Sequence, residues 1–227
     1  MMAAHVGVRV RNPRVHPWRV LHAANPSAAL LATITLQARA GMRPEVLSLA
    51  GLVEPAAEWA TANEEVSASL LSAWHHVRAW RDALMASMPA RFEVVHAHSF
   101  SAGMAAVRTC PAVVYENGGF VEQLALQASA QEGEQPPGAW LSRSLRVAEQ
   151  FVIARAGAII VHSAEQRSAA LDRGAGVDDV FLIPQSGPEL AADELARRYN
   201  EAYHHASIRR ESGGRGISTG SLVPLMA

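Results

Sequence analysis

The chain contains no lysine. Its 20 basic side chains are all arginine, set against 21 Asp and Glu, for a formal net charge of -1. So even a balance provides no global field to draw in nucleic acid or anionic lipid, and no nucleic-acid partner is expected. Beside the abundance of alanine, the missing lysine reads as compositional bias rather than chemistry. Cysteine is nearly absent: Cys110 stands alone, which excludes an internal disulfide and any multi-cysteine metal site and fits a reducing compartment. Long apolar runs are lacking too, none approaching the ~18–20 residues that span a bilayer. The first residues carry Arg9, Arg11 and Arg14 without an apolar segment, so they do not read as a signal peptide. A cytoplasmic protein is expected, with peripheral contact at the inner membrane face left open.

What is present suits a globular core. Hydrophobic residues make up 49% and charged residues 18% of 227 positions, a length for one domain or one and a half. Short apolar runs with the length of buried strands occur at Trp18–Ala23, Pro44–Leu49, Phe92–Ala97, Ala112–Glu116, Gly157–His162 and Val180–Ile183. Helical stretches alternate with them. Ser27 is placed to cap a helix over Ala28–Ala40, which stops at Gly41. Asn63 is placed to cap a long amphipathic helix that runs to Pro89, with Trp74 and Trp80 on its core side. Ser163 and Gln166 form a capping box, and Gly174 closes the helix they open. Residues 124–138, with Pro136-Pro137, read as a loop or broken helix. Strands alternating with helices predict an α/β fold: a parallel sheet with helices on both faces. The expected organisation is a flexible basic extension over 1–17, the α/β domain over 18–188, a C-terminal helix over 189–210 packing back on it, and a disordered tail over 211–227.

Four stretches carry a family resemblance. Phe92–Ser99 (FEVVHAHS), Val113–Gln123 (VVYENGGFVEQ), Leu141–Ala156 with Arg146 and Glu149 as an R-x-x-E element, and Ala158–Pro184 follow one another in the order found in family-4-type glycosyltransferases. The chain resembles the N-terminal, acceptor-binding half of that family's GT-B fold, a Rossmann-like domain. In the family a second domain grips the nucleotide sugar through a basic pair and a Glu-x7-Glu element. Here Pro184 leads through Gln185-Ser186-Gly187 almost directly into a helix resembling the family's last one, with no room for that domain. The loop after the first strand, Asn25-Pro26-Ser27-Ala28, also lacks the glycine pair common in the family.

The resemblance implies glycosyl transfer from a nucleotide sugar to a glycan or lipid-linked acceptor, provided a separate donor-binding chain supplies the missing half. The nucleotide sugar would bind only with that half present, and the isolated chain is expected to be inactive. Two other readings stand: a non-catalytic subunit of a transferase complex, and a truncated remnant. No cofactor is expected.

Ligands of parallel sheets sit outside the carboxyl ends of the strands. That rule nominates Asn25, Ser27, His98, Ser99, Glu116, Asn117, Gly118 and Gly119 as acceptor-binding residues, with catalytic residues unassigned. Glu116 is the candidate contact to an acceptor hydroxyl, with Asn117-Gly118-Gly119 letting backbone approach a ligand or simply forming a turn. His96 and His98 share a strand face, a spacing that could hold a metal, but no third ligand is evident and no metal is expected. His96 reads as structural or hydrogen-bonded, and His98 as either an acceptor contact or structural. Ser163 and Glu165 are accounted for by capping. His75-His76 and His204-His205 read as surface pairs, and Cys110 as structural.

Overall fold

The computed structural model describes residues 16–49, 70–87, 92–116, 120, 139–184 and 191–213. The expected cap at Asn63, the 124–138 segment, the 1–15 extension and the 214–227 tail lie outside the described residues.

In chain order the elements are β1 (Arg19–Ala23), α1 (Ala28–Arg39), β2 (Arg43–Leu47), α2 (Leu70–Ser87), β3 (Val94–Ala97), α3 (Phe100–Thr109), β4 (Val113–Glu116), α4 (Ala139–Arg155), β5 (Ala158–Val161), α5 (Ala164–Asp172), a 3-10 turn (Val177–Asp179), β6 (Val180–Leu182) and α6 (Ala192–Gly213). The six strands form one parallel sheet in the order β2-β1-β3-β4-β5-β6, a Rossmann-like α/β arrangement. The strands run one or two residues shorter than their apolar runs suggest, because flanking residues such as Phe92 and His162 stay apolar or buried beyond the ladder. Pro44 is tolerated in β2 because that strand is an edge. Arg43 N–H bonds inward to Trp18 O, so the next residue's N–H would face outward, where proline costs no ladder bond.

Side chains alternate across the sheet and build two cores. Leu21, Ala23, Val95, Ala97, Val113, Tyr115, Ile159 and Val161 face one way and pack with residues of α2, α3, α4 and α5. Trp80 is buried there, as its helical spacing predicts. Val20, Val94, Val114, Ala158 and Ile160 face the other way, against Leu36 of α1 and Tyr199, Ala202, Tyr203 and Ala206 of α6.

The caps expected at Ser27 and Ser163 are present, and Ser99, expected to bind acceptor, caps α3. Ser27 Oγ accepts from Leu30 N at 3.1 Å, Ser99 Oγ from Ala102 N at 3.2 Å and Ser163 Oγ from Gln166 N at 3.2 Å. The box at α5 differs in one respect: Gln166 Oε1 accepts from His162 N (2.7 Å), one residue before the cap. Gly174 ends α5 at φ 94°, in the left-handed region. Gly157, just before β5, serves a different need. A Cβ there would lie 2.7 Å from Ala206 Cα, so glycine lets α6 lie directly on the sheet. Further bonds hold α6 in place: Trp18 Nε1 to Asn200 Oδ1 (2.9 Å), Arg198 Nη1 to Leu182 O (2.8 Å), and Asp179 to both His205 and Arg209. Among the described residues, no helix is long and apolar enough to cross a membrane.

Candidate functional site

On the face covered by α1 and α6, each central strand ends the same way. Val20, Val94, Val114 and Ile160 are followed two positions later by His22, His96, Glu116 and His162. The two-residue period keeps each pair on one face, so an apolar layer gives way to an ionisable layer at the carboxyl ends of the strands. His22 and His96 are direct neighbours in the β1–β3 ladder, and His98 lies one period beyond His96. Between β1 and β3 the connections diverge, β1 continuing to β2 on one side and β3 to β4 on the other. That switch point is where open parallel sheets place their ligands.

Six side chains from five elements close a ring. Tyr203 Oη meets His96 Nδ1 at 2.9 Å, and His96 Nε2 lies 3.1 Å from Glu116 Oε2. Glu116 Oε1 is 3.6 Å from His98 Nδ1, and His98 Nε2 is 2.8 Å from His22 Nδ1. His22 Nε2 meets Gln37 Oε1 at 2.9 Å, and Gln37 Nε2 donates to Tyr203 Oη at 2.7 Å, completing the circuit. A seventh group joins from β5: His162 Nε2 is 3.4 Å from Glu116 Oε1 while its Nδ1 donates to Ile183 O at 2.7 Å.

Donor and acceptor chemistry fixes the protons. Gln37 donates to the Tyr203 hydroxyl, which donates to His96 Nδ1, so His96 carries its proton on Nε2, towards Glu116. His22 donates Nε2–H to the Gln37 carbonyl, leaving Nδ1 to accept from His98 Nε2–H. His96 Nε2 and Glu116 Oε2 are both buried, and their 3.1 Å contact is not a well-directed hydrogen bond.

The electrostatics follow from burial and this wiring. Burial, reinforced by His96 and His98, holds His22 well below the usual imidazole pKa. Burial and His98 lower His96 to about 4. Both are therefore neutral at pH 7, the form with a lone pair to offer. Burial alone would raise Glu116, but His162, His96 and His98 outweigh it and keep the carboxyl well below the usual range. His162 goes the other way: burial opposes its charge, and the Glu116 carboxylate more than compensates and raises it. Burial raises the Tyr203 and Tyr199 phenols, so both stay protonated. His22 and His96 are fully buried, whereas the side chain of His98 is 15% exposed and is the cluster's face to solvent.

The structure sorts the nominated residues. It brings His98 and Glu116 together. Ser27 and Ser99 spend their hydroxyls as helix caps, and Asn25 is exposed with its Oδ1 3.5 Å from Ser48 Oγ. Asn117, Gly118 and Gly119 lie outside the described residues. His96, expected to be structural or hydrogen-bonded, is buried and hydrogen-bonded to Tyr203, and it sits at the centre of the cluster. The third imidazole that the sequence did not reveal is His22. Gln37, His162 and Tyr203 were also missed. The repeated apolar-x-ionisable ending of four strands was the available signal for His22 and His162. The surface pairs behave as expected at His75 and His204, which are exposed, while His205 is half-buried on Asp179. Cys110 is buried and burial pushes its thiol pKa up, in line with a structural residue.

A second buried carboxylate lies on the opposite face of the sheet. Glu149 accepts from Tyr115 Oη at 3.1 Å, and Arg173 Nε lies 3.6 Å from its other oxygen. The Arg173 guanidinium stacks 3.9 Å over the Phe120 ring. Of the R-x-x-E element, then, Glu149 is a core residue and Arg146 is exposed.

No family model matches the chain, and no curated protein matches it significantly. The cluster's chemistry is therefore read from its own geometry. A buried carboxylate ringed by imidazoles can accept a hydroxyl proton and pass it on, and neutral imidazoles at this separation can bind a cation.

Proposed function

We propose that this domain binds the hydroxyl-bearing acceptor of a glycosyl transfer, as its resemblance to family-4-type glycosyltransferases implies. One observation carries the reading: Glu116, with His98 and His162 around it, lies at the carboxyl ends of the central strands beside the β1–β3 switch point. A carboxylate there accepts an acceptor O–H, and an adjacent imidazole takes the proton as the oxygen bonds to the sugar. The departing nucleoside diphosphate needs cationic stabilisation of its own, and a separate chain would supply it. Only residues 185–190 separate the end of the sheet segment from the start of the last described stretch. That short join favours a binding subunit of a transferase complex over a self-sufficient enzyme.

Saturation-transfer NMR with a panel of neutral mono- and disaccharides and their lipid-linked forms tests the reading. The expected result is saturable binding by at least one glycan, lost in Glu116→Gln and weakened in His98→Asn, with no binding of nucleoside diphosphates. Absence of binding across the panel overturns the acceptor reading. Turnover of a sugar nucleotide by the purified chain alone overturns the requirement for a second chain.

A further inference from the structure

We propose that His22, His96 and His98, with Glu116 beside them, form a site for a divalent transition-metal ion of the zinc type. One ring nitrogen from each histidine lies within 4.8 Å of the others. Imidazole is a ligand suited to zinc, and three protein ligands plus a carboxylate oxygen complete a tetrahedral set. The two buried atoms without a well-directed partner, His96 Nε2 and Glu116 Oε2, are 3.1 Å apart. Adjacent ligands on a tetrahedral zinc with bonds of about 2.0–2.2 Å lie roughly 3.3 Å apart. An ion seated between them would give both atoms the partner they lack.

The outer contacts are of the kind that orient metal-bound imidazoles. His22 directs its far nitrogen at the Gln37 carbonyl (2.9 Å), His96 at the Tyr203 hydroxyl (2.9 Å) and His98 at Glu116 Oε1 (3.6 Å). His22 and His96 thus each have an oxygen behind them at hydrogen-bond distance, which fixes the ring and strengthens it as a donor, while His98 is held more loosely. His162 braces Glu116 Oε1 at 3.4 Å, so the carboxylate's second oxygen is occupied as well.

Loading requires a proton shift on His96, from Nε2 to the Nδ1 that faces Tyr203 Oη, and one ring movement. His22 Nδ1 and His98 Nε2 now meet head-on at 2.8 Å, their ring centroids 5.1 Å apart, sharing a single proton. His98 also lies over the His96 ring, centroids 4.1 Å apart. The ion displaces the shared proton, and the pair opens to roughly 3.3 Å with both lone pairs turned inward. His98 is the member free to turn, because it lies just past the end of β3 and reaches solvent. Protons leave as the metal enters, so binding weakens as pH falls.

The proposal uses the same Glu116 and His98 as the acceptor reading, but metal binding is measured with no sugar present, so the two can fail separately. Calorimetry with zinc chloride on the full chain, paired with cobalt(II) absorption spectroscopy, tests it. The expected result is one equivalent of metal that survives desalting, and the intense visible bands of tetrahedral cobalt. His98→Asn, at the partly exposed position where the fold tolerates change, weakens zinc by at least roughly 100-fold, and Gln37→Leu by about 10–100-fold. His75→Gln/His76→Gln and His204→Gln/His205→Gln leave both readouts unchanged. Absence of stoichiometric zinc binding overturns the site. So does zinc binding that survives His98→Asn but disappears with either surface pair, and so does a cobalt spectrum without tetrahedral bands.

Discussion

Glu116 and Glu149 are both buried carboxylates, placed on opposite faces of the sheet around β4. Glu116 ends that strand facing α1 and α6. Glu149 comes from α4 and reaches the strand's other face through Tyr115. Their counter-charges differ in kind. Glu149 faces an arginine, whose charge is permanent in proteins. Glu116 faces three imidazoles: it raises the pKa of His162, while burial keeps His96 neutral at pH 7. One arrangement is a fixed lock within the larger core. The other loses stability as its buried imidazoles take up protons, so it responds to pH where the lock does not.

The largest expected effect tests the lock. Glu149→Leu leaves the Arg173 guanidinium, whose side chain is 5% exposed, without its carboxylate. Stranding a buried charge costs about 3–5 kcal/mol, read as a shift in the urea midpoint at constant slope. The loss should be the same at pH 6 and pH 8, because an arginine's charge is permanent in proteins. A strongly pH-dependent loss would erase the contrast.

Next comes pH itself, measured by differential scanning on chelator-treated protein. His22 and His96 have folded pKa values below the ordinary 6.5, His96 at about 4. Between pH 4 and 6.5 the unfolded chain therefore binds more protons, and stability rises with pH across that window. His96 alone contributes about 3 kcal/mol of this change. Glu116, lowered, adds stability that is present above its ordinary 4.5 and lost as pH falls through its folded value. His162, raised, adds stability that is complete below 6.5 and lost as pH rises through its folded value. His98, Tyr199 and Tyr203 complete the set of titratable groups facing Glu116. The expected Tm profile peaks near neutrality and falls steeply towards pH 4.5; a flat profile would break this half of the comparison.

Smaller effects sharpen the contrast. Tyr203→Phe removes the hydroxyl that joins Gln37 to His96, leaving both short of a partner at a cost of about 2 kcal/mol, measurable by denaturation. Glu116→Gln at pH 8 should cost least, about 1–2 kcal/mol, because His162, whose charge Glu116 sustains, can shed its proton. Should Glu116→Gln prove as damaging as Glu149→Leu, the cluster is a second lock.

Much of the scaffold was legible in the sequence because strands buried on both faces read as short apolar runs, and because Ser27, Ser163, Gly41 and Gly174 mark helix ends through local backbone chemistry. The site was legible only in part. Glu116 and His98 stood out because they end their runs. Ser27 and Ser99 occupy the correct end of the sheet, but their hydroxyls are committed to capping, which the loop rule does not distinguish from ligand binding. His22 was hidden inside Trp18–Ala23, where a histidine among apolar neighbours looks like a satisfied core residue. Its meaning appears only when four strands are aligned and the ionisable layer emerges. Gln37 and Tyr203 lie 166 residues apart, and no local pattern links a glutamine on one helix to a tyrosine on another.

That separation also sets the order of events during synthesis. The sheet from β1 to β6 leaves the ribosome before α6, so that helix is the last of these elements available to pack. Until α6 docks, His96 Nδ1 and Gln37 Nε2 have only water to bond, and the histidine pocket lies open beneath the face that α6 will cover. Closing so long a loop is slow compared with local pairing. The docking of α6 is therefore the step that takes His96 Nδ1 and Gln37 Nε2 out of water.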